Sequence, residues 1–210
     1  MVTLHKNILS VNDIESIIDF YYSDPGIDNN EYGINKNLEY HIPDNFIHQL
    51  FNPILSKLIG NDHVFDTGSV KESYKPYPLH VDTRLQHDKI TGLMSFGTGI
   101  PKYNLSVLVP LVEGPEFRTV VFNSKLDNNP EYPAVLTDHP ELLGDKNYLK
   151  RTDFMHLNDL EFYAINHLEI DVDYTWETGD ILIFSRDQLH ISADFSVNNL
   201  IKKFLIFFIE

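Results

Sequence analysis

The chain has 210 residues, 42% of them hydrophobic, with 31 acidic against 16 basic side chains and a formal charge of −15. At this length roughly 70% of the surface exposed by the unfolded chain can be buried, so one globular domain is expected over residues 1–210, with no need for disulfides or a structural metal. The negative charge repels phosphate backbones and anionic headgroups, no apolar run approaches the roughly 20 residues of a spanning helix, and Met1-Val2-Thr3-Leu4-His5-Lys6 has no signal-peptide core. Nucleic acid and membrane are therefore set aside as main partners, and the cytoplasm is the expected compartment.

Residues 1–62 read as a helical layer. Ile14, Ile17, Ile18 and Tyr21 fall at helical spacing behind Asn12-Asp13, and a second stripe of Phe46, Leu50, Phe51, Ile54, Leu55 and Leu58 runs from Pro43-Asp44-Asn45 to Gly60-Asn61. From residue 63 the texture changes to short apolar or alternating runs bounded by Gly, Pro, Asn and Asp, as in strands. The runs are 104–111, 117–122, 167–176, 180–184 and 200–209, separated by turns such as Glu113-Gly114-Pro115 and Thr178-Gly179-Asp180. Many short strands without alternating long helices favour an antiparallel sandwich or barrel. Residues 125–165 are polar and rich in proline, and read as an insertion with at most short helices. A stretch longer than roughly 12–15 residues in such a position is often a functional lid.

Ten histidines raise the question of a metal site. His-x-Asp occurs once, at His80-Val81-Asp82, and chance alone supplies about one such triplet in this composition. In a strand, residues i and i+2 share a face, so His80 and Asp82 can present a nitrogen and an oxygen to one cation while Val81 packs behind. The best third ligand is His190, which follows the turn and apolar run Gly179 to Phe184 and the polar bend Ser185 to Gln188. Two histidines and a carboxylate on one face are the ligand set of non-haem Fe(II) oxygenases, and would also accept Zn or Mn. His139-Pro140-Glu141 and His167-Leu168-Glu169 are rival pairs, the second sharing His190 as a later partner. His41, His48, His63, His87 and His156 fall in no ligand pattern. Arg84 and Arg118 read either as contacts for an acidic substrate or as loop caps, and Trp176, Phe204, Phe207 and Phe208 as core.

Three stretches resemble the Fe(II)- and 2-oxoglutarate-dependent dioxygenases, in particular their prolyl-hydroxylase-like branch. Tyr74-Lys75-Pro76-Tyr77-Pro78-Leu79-His80-Val81-Asp82-Thr83 is similar to the family's tyrosine-rich approach to His-x-Asp. Residues 102–111 and 113–122 are similar to its paired strands. Gly179 to His190, followed by Lys202-Lys203-Phe204-Leu205-Ile206-Phe207-Phe208, is similar to its distal-histidine strand and final basic strand. Pro110 stands near the place of a polar contact that the family carries before its insertion.

The resemblance implies a double-stranded β-helix, or jelly-roll, core in a mainly β protein with N-terminal helices, the core spanning 63–210 and the insertion lying on the substrate side. It implies Fe(II) on His80, Asp82 and His190, with 2-oxoglutarate and O₂ as cosubstrates. The expected activity is hydroxylation of a small-molecule or peptidyl, including prolyl, substrate with release of succinate and CO₂. A buried C5 carboxylate of 2-oxoglutarate needs a cation. Lys202 and Lys203, twelve and thirteen positions after His190, are the only basic residues beyond it. Strand alternation lets only one face inward, and the sequence leaves open which. Tyr74 and Tyr77 are expected to contact the same carboxylate or line the pocket. The competing class is a non-catalytic jelly-roll module that binds a metal or ligand. A Zn hydrolase on the same ligands has only the pair His167 and Glu169 to offer as a base.

Overall fold

A computed structural model describes residues 2–23, 30–32, 37–41, 44–60, 63, 65–82, 85–87, 94–96, 105–126, 134–196 and 199–209. The strands are β1 (Thr3–His5), β2 (Asn30–Tyr32), β3 (Asn37–His41), β4 (Phe65–Ser73), β5 (Leu85–His87), β6 (Met94–Phe96), β7 (Leu105–Pro110), β8 (Arg118–Lys125), β9 (Ile170–Thr175), β10 (Ile181–Ser185), β11 (Gln188–Ser192) and β12 (Lys202–Ile209). The helices are α1 (Val11–Ser23), α2 (Asp44–Leu58), α3 (Ala134–Thr137) and α4 (Asp159–Asn166), with 3-10 turns at Pro140–Leu142 and Arg151–Phe154.

Strand alternation sorts the apolar residues into three layers of core. On β12, Phe204 and Ile206 pack with Leu108, Leu182, Phe184, Val121 and Trp176. The alternate residues Leu205, Phe207 and Ile209 pack on the opposite face with Ile17, Phe51 and Leu55 of the helices. A third cluster joins Val120, Phe122, Leu189 and Ile191 to Val135, Leu149, Phe154, Leu157 and Ile165. The order through the molecule is therefore helices α1 and α2, a large sheet, a small sheet, and the segment that follows β8. The large sheet runs β1-β10-β7-β12-β4-β3-β2 and the small one β11-β8-β9, with antiparallel pairing throughout the described strands. Two antiparallel sheets closing on a shared apolar interior form the expected jelly-roll core.

Local chemistry accounts for the helical layer. Ser10 caps α1 through reciprocal hydrogen bonds, its N–H donating to Asp13 Oδ2 at 2.8 Å and its Oγ accepting from Asp13 N–H at 3.2 Å. Helix α2 buries Phe51 and Leu55 fully and stops before Gly60, whose φ of 100° few other residues adopt. The N-terminal region is not wholly helical as expected. Strand β1 adds to the edge of β10, and β3 to that of β4. Such short strands carry too few residues to show a period, yet they cover sheet edges whose backbone groups would otherwise be unpaired. Gly179, at φ 90°, lets the chain approach Leu9 so closely that a Cβ would lie 2.9 Å from the Leu9 carbonyl oxygen. Its own carbonyl accepts from the N–H groups of Ile8 and Leu9 at 2.8 and 2.9 Å.

Among the described residues of the insertion the helices are short, as expected, but residues 134–165 do not cover the barrel interior as a lid. They pack against the outer face of the small sheet, where the buried Phe154 and Ile165 meet strand residues that point away from the barrel interior. Asn158 caps α4 in a capping box with Glu161. Residues 127–133 of the insertion lie outside the described set. Among the described residues, no helix is long and apolar enough to cross a membrane.

Candidate metal centre

His80 pairs with His190 in an isolated antiparallel bridge, each N–H donating to the other's carbonyl at 3.0 and 2.9 Å. The segment carrying His80 and Asp82 thus extends the small sheet beside β11. Leu79 and Val81 turn outward to the third core cluster, which leaves His80 and Asp82 on the inner face. Leu189 and Ile191 likewise turn outward, and His190 turns in. The three side chains expected to meet do so: one ligand atom from each of His80, Asp82 and His190 lies within 4.8 Å of the others.

The imidazoles are oriented for a cation. His80 Nδ1 lies 2.7 Å from the Pro78 carbonyl oxygen and His190 Nδ1 lies 3.0 Å from that of Gln188. A carbonyl only accepts, so each Nδ1 carries a proton, and Nε2 is the ring atom turned toward Asp82. Those Nε2 atoms stand 3.9 and 3.7 Å from Asp82 Oδ1, too far for direct hydrogen bonds. The other carboxylate oxygen, Oδ2, accepts from Ser106 Oγ at 2.7 Å. Burial and the facing His190 push His80 down to about 3, so its ring is neutral at pH 7. Burial pushes the Asp82 carboxyl upward, but His190, His80 and the Ser106 hydroxyl outweigh it and the net shift is downward. Two imidazole nitrogens and one carboxylate oxygen converging inside the protein fit a divalent transition metal with further coordination positions left open.

The triad opens on a narrow pocket of about 40 Å³ between the sheets, lined by Leu108, Phe184, Phe204 and Ile206 on the apolar side and by Lys71, Tyr77, Thr119, Ser192 and Lys202 on the polar side. Lys202 is only 3% exposed. Its Nζ donates to Ser192 Oγ at 2.6 Å and lies 4.1 Å from the centroid of the Trp176 ring. Among the described residues no carboxylate lies within ion-pair distance of it, and burial lowers the ammonium from its ordinary 10.5 to about 7.

No family model matches the chain, and no curated protein matches it in sequence. Solved structures do. The non-haem alpha-ketoglutarate-dependent carbocyclase SnoK from nogalamycin biosynthesis aligns with a TM-score of 0.58 at 11% identity, covering 99% of this chain and 79% of that one. The epimerase SnoN, in complex with Fe3+, alpha ketoglutarate and nogalamycin RO, aligns with a TM-score of 0.54 at 12% identity over 99% and 78%. HygX from Streptomyces hygroscopicus, with nickel and 2-oxoglutarate bound, aligns with a TM-score of 0.53 at 13% identity over 99% and 82%. The fold is that of the Fe(II)/2-oxoglutarate oxygenases. These likenesses reach the oxygenase fold and not the prolyl-hydroxylase-like branch.

Against that oxygenase frame, the two C-terminal lysines separate. Lys202 faces the pocket, whereas Lys203 lies on the opposite face of β12 and pairs with Glu72 at 2.8 Å, which removes it as a pocket cation. The two tyrosines also separate. Tyr77 lines the pocket with its ring 5.6 Å from that of His80. Tyr74 is 39% exposed and its hydroxyl bonds to Glu72 on the outer side, so it is corrected from pocket residue to surface residue. Neither rival histidine pair joins the centre: His139 and Glu141 form an exposed pair, and His167 stacks on Tyr163 while donating to its carbonyl. Arg118 grips Asp173 through Nε and Nη2 and reaches Asp153 at 2.8 Å, acting as a clamp between β8, β9 and the outer segment. Arg84 lies outside the described residues. Ser106 and Lys71 carry no signal in the sequence. Ser106 sits inward on a strand that reads as apolar, Lys71 on a strand the sequence pattern does not mark, and the register of β7 and β4 beside β12 shows which way they face.

Proposed function

We propose that this protein is an Fe(II)- and 2-oxoglutarate-dependent oxygenase that oxidises a small molecule. The observation that carries the proposal is Lys202: a buried ammonium without a carboxylate partner among the described residues, in the same pocket as a two-histidine, one-carboxylate triad. A buried cation of this kind is costly unless an anion joins it. A dicarboxylate that chelates the metal at one end and meets the ammonium at the other satisfies both groups together.

His80, Asp82 and His190 would hold the metal, and Lys202 with the Ser192 hydroxyl would receive the distal carboxylate. When bound, iron and 2-oxoglutarate would activate O₂, one oxygen atom going into succinate as CO₂ is lost and the other into a C–H bond of the substrate. The chain's own part is to hold, orient and enclose. Ser106 fixes the Asp82 carboxylate so that Oδ1 faces the imidazoles. The Nδ1–H bonds of both histidines fix the ring planes. Leu108, Phe184, Phe204 and Ile206 keep the pocket poor in water, which strengthens the pairing between Lys202 and its anion.

Hydroxylation of a small-molecule or peptidyl substrate is the reaction proposed for this site. A small molecule is favoured because structural neighbours carry nogalamycin RO and hygromycin B. The neighbours also include an epimerase and a carbocyclase, so proteins of this fold carry out reactions besides hydroxylation. The test is succinate formation from 2-oxoglutarate, followed by NMR with added Fe(II) and O₂ against a small-molecule panel. Iron-dependent succinate above the protein-free rate supports the proposal, and its absence with every compound in protein shown to bind Fe(II) contradicts it.

A further inference from the structure

Asp82 is held in a way that neither the triad nor the pocket explains. It lies just past the end of the bridge between His80 and His190 and belongs to no strand, so the sheet ladder does not fix its backbone. Instead its peptide groups are taken up by one residue in the turn between β10 and β11. Asp82 N–H donates to the Arg186 carbonyl at 2.8 Å, and Arg186 Nη2 donates back to the Asp82 carbonyl at 3.1 Å. The arginine is 3% exposed, and its guanidinium carbon stands 4.0 Å from the centroid of the Phe208 ring. A planar cation on an aromatic face is confined to a narrow range of orientations. Phe208 belongs to β12, the strand that also carries Lys202, and shares the inward side with it.

We infer that Arg186 is a positioning residue for the metal centre: seated on Phe208, it clamps the Asp82 backbone from both sides and so aims the only anionic ligand at the two imidazoles. This rests on the metal site proposed above. Ser106 sets the rotation of the carboxylate, and Arg186 sets where the residue carrying it stands. The same contact links the ligand loop to the final strand, coupling the metal end of the barrel to the strand that bears the pocket cation. Lysine in place of Arg186 can still donate to one carbonyl but lacks the planar fork, and methionine cannot donate at all.

The test uses Co(II) as probe on the whole chain without cosubstrate, following affinity by calorimetry and coordination by the visible ligand-field bands. Asp82→Ala reports loss of the anionic ligand itself. Arg186→Met is expected to weaken Co(II) binding at least about fivefold, comparable to losing a hydrogen bond from a charged donor, and to alter the band positions or intensities. Arg186→Lys should recover part of both. Phe208→Leu, which keeps the guanidinium but removes its platform, should shift the bands in the same direction and keeps the test available should Arg186→Met fail to fold. Folded Arg186→Met or Phe208→Leu protein with wild-type affinity and bands overturns the clamp while leaving the metal site standing. A lower metal-free melting temperature with unchanged Co(II) bands overturns it as well, because a merely structural arginine would do that. Wild-type protein that takes up no Co(II) overturns the metal site, and the clamp with it.

Discussion

The Lys202 ammonium lies 2.6 Å from the Ser192 hydroxyl, two residues along β11 from the inward-facing His190. Strand alternation puts residues 190 and 192 on one face, so this bond places the buried cation and the His190 imidazole in a single pocket. Replacing Lys202 with Met keeps most of the length and removes the charge. The 2-oxoglutarate dissociation constant, measured by calorimetry with the metal present, should rise more than about tenfold, as expected for losing a buried charge pair. Lys203→Met breaks the partly exposed pair with Glu72 on the face away from the pocket and should leave that constant within about threefold of wild type.

The same lysine makes stability depend on pH without cosubstrate. Burial lowers it to about 7 in the folded chain against an ordinary 10.5. Between those values the unfolded state binds the extra proton and the folded state does not, so stability rises as pH increases from 7 to 10.5. Below pH 7 both states are protonated and the full cost of the buried charge remains, roughly 3–5 kcal/mol. Denaturant unfolding of metal-free protein at pH 7 and pH 9.5 should show this rise, and Lys202→Met should be more stable than wild type at pH 7 with most of the slope removed. An equal slope in the variant would mean that another group titrates.

Binding of the dianion should draw a proton onto Lys202. Above pH 7 the affinity for 2-oxoglutarate should fall by up to about tenfold per pH unit as the ammonium becomes neutral. Calorimetry at pH 8 in buffers of different ionisation enthalpy should report uptake of close to one proton in wild type and much less in Lys202→Met.

Arg118 illustrates how a residue that looks available for a substrate is committed to the fold. Its guanidinium holds Asp173 and Asp153, and in Arg118→Met those carboxylates lose their shared cation. The variant should be destabilised by about 2–4 kcal/mol, since breaking a partly buried pair leaves the partner charges uncompensated. Protease should cut faster between residues 134 and 168, while Fe(II) affinity stays close to wild type. A specific loss of substrate turnover at unchanged stability would return Arg118 to the substrate.

The site was more legible in the sequence than its surroundings. His80 and Asp82 sit two apart, and a period of two determines a shared face once the segment is extended. His190 follows a short apolar run bounded by turn signals, which reads as a buried strand. Which lysine faces inward was undecidable, because adjacent residues take opposite faces and one residue of register exchanges them. The pairing of Leu205 with Val70 and Val109 is what resolves it. The position of the insertion was hidden for a different reason. Phe154, Leu157 and Ile165 are spread among polar residues, and their common burial on the small sheet arises from long-range contacts that leave no local period. Arg186 and Ser106 carry no motif, since their roles depend on backbone and side-chain partners distant in sequence.

The most direct measurement is an anaerobic titration of wild-type protein with Fe(II) and then 2-oxoglutarate, following the weak visible charge-transfer absorption of the chelate. It requires no knowledge of the substrate. The band should grow to one equivalent in wild type, vanish in His190→Ala, and in Lys202→Met require at least about tenfold more 2-oxoglutarate to saturate. Folded wild-type protein that binds Fe(II) yet shows no band at millimolar 2-oxoglutarate, or a band that persists unchanged in His190→Ala, would contradict the assignment of this pocket to iron and 2-oxoglutarate.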